Sequence, residues 1–142
     1  MHSVFPARIR ALVALYFLAT LAHFAHNAEF IAFYPNMPPS LTRETVYLAW
    51  LAITAIGVAA LIAARFGLPV LGALLLGAYG AMGLDGLGHY MLALCSEHTL
   101  ATNLTIGFEV TTGAVLLLTS AVLAKRLLQG SRCACGAAKR ER

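Results

Sequence analysis

Six ionisable side chains stand inside stretches that are otherwise apolar. His23, His26 and Glu29 step by three residues. Asp85 and His89 are four apart, and Glu109 is followed by Thr111 and Thr112. Steps of three and four keep side chains near one face of a helix. Imidazole nitrogen with carboxylate oxygen is a donor set for zinc, iron or manganese. Carboxylates and imidazoles together can also relay protons, or act as acid and base on a bound molecule.

The elements that must position these groups follow from composition. Of 142 residues, 60% are hydrophobic and 11% charged, and the mean hydropathy is +0.78. Soluble domains carry about 25% charged residues, so a polytopic membrane protein is expected. The net charge of +4 then reads as topology signals and contacts with anionic membrane lipids. No exposed basic face for nucleic acid is visible. The hydropathy pattern predicts an all-α, integral membrane four-helix bundle. Residues 1–10 form a head, 11–126 the four-span domain and 127–142 a basic tail without regular structure. The spans fall at about 11–34, 45–64, 69–94 and 103–124, each near the ~20 residues a bilayer needs. Pro35, Pro38 and Pro39 end the first, and Ser40 or Thr42 caps the second. Tyr47 and Trp50 suit an interfacial belt. The glycines of the third span (Gly72, Gly77, Gly80, Gly83, Gly86, Gly88) suit a close helix seam.

Nine of the ten Lys and Arg residues fall in the head, in the turn at Arg65 and in the tail, with Arg43 alone on the other side. The positive-inside rule therefore puts both termini in the cytoplasm, in an inner (cytoplasmic) membrane. At 1.5 Å per residue, His26 lies ~12 Å below the outer end of its helix, Asp85 ~10–13 Å and Glu109 ~9–10 Å. Three polar groups from three helices share a layer in the outward half, with Glu29 and His89 nearer the mouth and His23 deeper. The inner halves are plain hydrocarbon.

The preferred reading is a transition-metal site (zinc, iron or manganese) with His23, His26, Glu29, Asp85, His89 and Glu109 as candidate ligands. Asn27, Tyr90 and the threonines would orient them. The alternatives are a pocket that binds or isomerises an apolar ligand (a lipid, quinone or sterol-like molecule), a proton or ion relay, and polar groups that only hold the helices together. A relay fits less well, because the polar layer stops halfway unless a homo-oligomer completes it. Whether the protein is an enzyme is left open. Cys95, Cys133 and Cys135 make no disulfide framework, and Cys133-Ala-Cys135 is half of a usual zinc set. Glu97-His98 falls in a loop and is expected to be solvated.

His26-Asn27-Ala28-Glu29-Phe30 resembles the signature of small bacterial four-span membrane proteins named for a His-x-x-Glu-Glu motif, with Phe30 in place of the second glutamate. That resemblance covers five residues and implies no activity. The layout also resembles, in architecture alone, small four-span proteins of the emopamil-binding type, which implies an apolar-ligand pocket.

Overall fold

The computed structural model describes the backbone of residues 5–140 and the side chains of residues 5–130. Cys133, Cys135 and the basic side chains from Arg132 onward lie outside the described side chains. The chain is all-helical: α1 (Ala7–Glu29), α2 (Arg43–Arg65), α3 (Pro69–Met82), α4 (His89–Leu92) and α5 (Leu100–Arg140). A 3₁₀ segment, Gly83–Gly88, joins α3 to α4, so one near-continuous rod runs from Pro69 to Leu92. Four helical stretches are long and apolar enough to cross a membrane: Ala7–Glu29, Arg43–Arg65, Pro69–Leu92 and Leu100–Gly130. They pack up and down as a four-helix bundle. Its surface carries Leu18, Leu48, Phe66, Leu104 and Leu118, each more than half exposed. Water would penalise such a surface, whereas lipid is its natural solvent.

Local chemistry explains the ends. Pro6 precedes α1 with φ −53° and ψ 151°, so the helix begins four residues earlier than hydropathy predicts. It also stops earlier, at Glu29. Phe30 to Tyr34 are apolar, but a short 3₁₀ turn, Ile31–Phe33, folds them back over the helix end. Thr42 caps α2 by accepting from the Thr45 amide, and the Thr45 hydroxyl accepts from the Thr42 amide. Gly67, at φ 81°, makes the turn into α3, a conformation that favours glycine. Pro69 then opens α3, where a missing N–H costs nothing. α5 continues beyond Lys125 and Arg126 to Arg140 instead of ending at 124. The alanines, Leu127, Leu128, Gln129 and the basic residues of that stretch are good helix formers.

One stripe of α1 faces inward along its whole length: Ile9, Val13, Tyr16, Thr20, His23 and Asn27. The steps alternate four and three, as for a helix seated against neighbours on one seam. The lower part of the stripe joins Ala60, Leu76, Tyr79 and Leu116 in an apolar core. Its upper part is polar. The change occurs at Thr20, whose hydroxyl receives the indole N–H of Trp50 at 3.3 Å.

The third span packs closely where its glycines require it. A Cβ on Gly80 would stand 2.7 Å from the Gly113 carbonyl oxygen, and one on Gly72 2.8 Å from that of Ala60. Gly83 lies against the Tyr16 ring and the Glu109 carbonyl. At Gly77 the nearest atom would be 3.7 Å away, so the seam runs through only some of the glycines.

Candidate functional site: a polar cleft at one end of the bundle

At the end of the bundle where α1 finishes and α5 begins, a cavity of about 350 Å³ opens between the helices. His23 and Asn27 of α1, Asp85 and His89 of the third span, and Glu109 of α5 line it. Met37, Pro38 and Leu41 from the loop after α1, with Val46, Met82 and Leu92, form apolar walls.

Glu109 is 2% exposed and His23 3%. The His23 Nε2 stands 3.5 Å from Glu109 Oε2. The other ring nitrogen, Nδ1, lies 3.3 Å from the Thr105 hydroxyl. That hydroxyl donates its hydrogen to the Thr102 carbonyl, so it can only accept from the ring. Nδ1 therefore carries a proton, and a neutral His23 turns the Nε2 lone pair toward Glu109. Glu109 Oε2 makes no hydrogen bond within the described residues, and neither does Asn27 Oδ1. The amide nitrogen of Asn27 is 3.4 Å from His89 Nε2, which fixes the carboxamide with its oxygen free. Gly86 makes room for the carboxyl: a Cβ there would lie 3.3 Å from Glu109 Oε2.

The six residues singled out by their spacing separate into two groups. His23, Asp85, His89 and Glu109 border the cleft. His26 and Glu29 do not. His26 Nδ1 is 2.8 Å from the Tyr34 hydroxyl. Glu29 is held at the surface by Arg43 at 2.7 Å and by the Tyr47 hydroxyl at 2.8 Å. The physical reason is azimuth. A step of three residues turns a helix by 300°, so each step moves the side chain about 60° away from the inward stripe. Asn27, four residues after His23, stays on that stripe. Among the described residues, no three His, Cys, Asp or Glu side chains come together as a group able to hold a metal ion.

Two participants were not evident from spacing. Tyr34 is 3% exposed, and its ring lies 5.0 Å from that of His89, which lines the cleft. Burial pushes its phenol pKa up from the ordinary value. His98, expected in water, is 7% exposed. Its ring N–H donates to the His89 carbonyl at 3.3 Å, and its Nδ1 is without a hydrogen bond. The loop around it is tied down by Asn103, which donates to the Cys95 carbonyl and accepts from the Tyr90 hydroxyl. Three histidines and a tyrosine thus cluster at this end of the bundle, with ring separations of 5.0–6.3 Å among Tyr34, His23, His89 and His98. No signal in a single sequence marks a loop histidine as buried.

No family model, no curated protein and no solved structure matches this chain. The class defined by fold and site is therefore the coarse one: a multi-pass, four-helix membrane-type bundle with a buried polar cleft at one end.

Proposed function

We propose that the chain is a multi-pass protein of a bacterial-type inner membrane, with both termini in the cytoplasm. Its outward cleft binds a small amphipathic molecule by a hydrogen-bond-donating end, a hydroxyl or an amine. One observation carries the reading. Two buried acceptor oxygens without partners, Glu109 Oε2 and Asn27 Oδ1, belong to residues that line one cavity. The His23 Nε2 lone pair faces the same carboxyl. Unpaired buried acceptors cost about 1–3 kcal/mol each, and a ligand that donates to them recovers that cost. The apolar walls of Met37, Leu41, Val46 and Leu92 suit the rest of such a molecule. A sterol-like alcohol, a reduced quinone or a lipid amine has this chemistry.

The test is extraction of the protein in mild detergent without chelator, followed by mass spectrometry of bound organic molecules and elemental analysis of the same sample. A hydroxylated or amine-bearing apolar molecule should be retained stoichiometrically. Glu109→Gln and Asn27→Leu should each lose it, while His26→Ala and Glu29→Gln should keep it. Stoichiometric zinc, iron or manganese lost in His23→Ala and His89→Ala would place a metal there instead. Folded wild-type protein that carries neither, and is not stabilised against heat by alcohols or amines of this class, overturns the proposal.

A further inference from the structure

The polar groups of the cleft are matched to one kind of donor. Glu109 is 2% exposed and Asn27 7%, and Glu109 Oε2 and Asn27 Oδ1 have no hydrogen-bond partner within the described residues. The Nε2 lone pair of neutral His23 faces Glu109 Oε2 at 3.5 Å. All three residues line the same cavity. An alcohol brings one hydrogen to these three acceptors, and a primary ammonium brings three. A nitrogen roughly 2.9 Å from each of two acceptors can span the 3.5 Å between Nε2 and Oε2. Charge points the same way. Asp85 is a second carboxylate lining the cavity, and it is exposed. No lysine or arginine lines the cavity. Arg43 is held by Glu29 at 2.7 Å, outside the lining. Carboxylates at membrane depth are costly without a positive partner, and a cationic ligand supplies one. Among the described residues no three His, Cys, Asp or Glu side chains are grouped to hold a metal ion, which favours an organic cation over a metal.

We infer that the cleft selects a primary alkylammonium: its N–H groups donate to Glu109, Asn27 and His23, Asp85 supplies a second countercharge, and the alkyl chain lies against Met37, Leu41 and Leu92. This rests on the proposed function, that the cleft takes a hydrogen-bond donor on an apolar body, and it excludes the alcohols which that reading admits. Selectivity comes from both parts of the head group. The positive charge is drawn by the carboxylates, and a quaternary ammonium shares it. The hydrogens fill the acceptors, and a quaternary ammonium has none.

Three probes with the same tail separate these parts: hexylamine, which is protonated near neutral pH, hexan-1-ol and hexyltrimethylammonium. Each is titrated calorimetrically into the full chain in nanodiscs of zwitterionic lipid, with empty nanodiscs as the blank. Hexylamine should bind about tenfold more tightly than hexanol, the effect of two further net hydrogen bonds, and more tightly than the quaternary ion. Asp85→Asn should weaken hexylamine and the quaternary ion alike and leave hexanol unchanged. Glu109→Gln should bring hexylamine toward hexanol. Glu29→Gln, which removes a surface carboxylate outside the cleft, should change none of the three. Asp85 is exposed, so Asp85→Asn should fold, and circular dichroism checks this. Equal binding of hexylamine and hexanol to wild type overturns the inference and leaves the proposed function standing, whereas no binding of any probe counts against both. A preference for hexylamine over hexanol that survives undiminished in folded Asp85→Asn, or a quaternary ion that binds as tightly as hexylamine, also overturns the inference.

Discussion

The imidazole of His23 and the carboxyl of Glu109 face each other at 3.5 Å across two helices, 86 positions apart in the chain. The Thr105 hydroxyl holds the far nitrogen of the ring, so the near one meets the carboxyl as an acceptor unless a proton lies between them. The pair is completed by one shared proton or by a donor from a ligand.

This makes the two residues energetically coupled. His23→Ala and Glu109→Ala should each destabilise the bundle, and the double variant should lose less than the sum. A coupling of ~0.5–3 kcal/mol is expected for residues in one polar network. Unfolding of the four proteins in detergent gives the cycle directly. Additive losses would mean that the two side chains act separately.

Tyr34 gives a pH dependence with a definite sign. Its phenol is buried and its pKa raised above 10.0, so the folded state holds the phenolic proton more tightly than the unfolded chain. The associated stability is intact below 10.0, the unfolded value, and is lost as pH climbs through the folded value. Tyr34→Phe should show less alkaline loss than wild type. At neutral pH it should be weaker by ~0.5–1.5 kcal/mol, through the lost bond to His26. Melting curves on both sides of pH 10 check both statements. Identical alkaline slopes would show that Tyr34 does not titrate with unfolding.

Which end of the bundle is polar was legible in the sequence, and which histidine meets Glu109 was not: spacing put His26 in that layer, and the structure puts His23 there. A rise of 1.5 Å per residue suffices to put His23, Asp85, His89 and Glu109 near one end of their helices, and all four border the cleft. Which of His23, His26 and Glu29 points inward depends on the neighbours' positions, and hydropathy does not report them. The apolar run from Phe30 to Tyr34 reads as more helix, yet it breaks into a 3₁₀ turn that brings the Tyr34 ring against His26 and His89. The 3₁₀ segment at Gly83–Gly88 was equally invisible: three glycines signal close packing without saying how the backbone winds.

The glycine seam separates two substitutions that look alike on paper. Gly80→Ala puts a methyl 2.7 Å from the Gly113 carbonyl oxygen and 2.8 Å from the Leu117 nitrogen. Those are backbone atoms of α5 and cannot step aside, so a loss of ~1–3 kcal/mol is expected. Gly77→Ala meets nothing nearer than 3.7 Å and should be near neutral. Denaturation in detergent decides it, and equal behaviour of the two variants would contradict the seam.

Orientation in the membrane is the remaining expectation, and it rests on charge alone. Arg8, Arg10, Arg65, Lys125 and Arg126 belong to the end of the bundle away from the cleft, and Arg43 to the cleft end. Positive charge is retained on the cytoplasmic side, so a reporter fused after Gln129 or within 65–67 should read as cytoplasmic, and one within 35–40 as external. The loop at 35–40 supplies Met37 and Pro38 to the cleft wall, so the same experiment determines which compartment the cleft opens to. Moving the bias should move the protein. Replacing Arg8, Arg10 and Arg65 by glutamine, with lysines added beside Arg43, should raise the fraction of chains in which 35–40 reads as cytoplasmic. A cytoplasmic signal from 35–40 in the unaltered chain would reverse the orientation and put the cleft's ligand supply inside the cell.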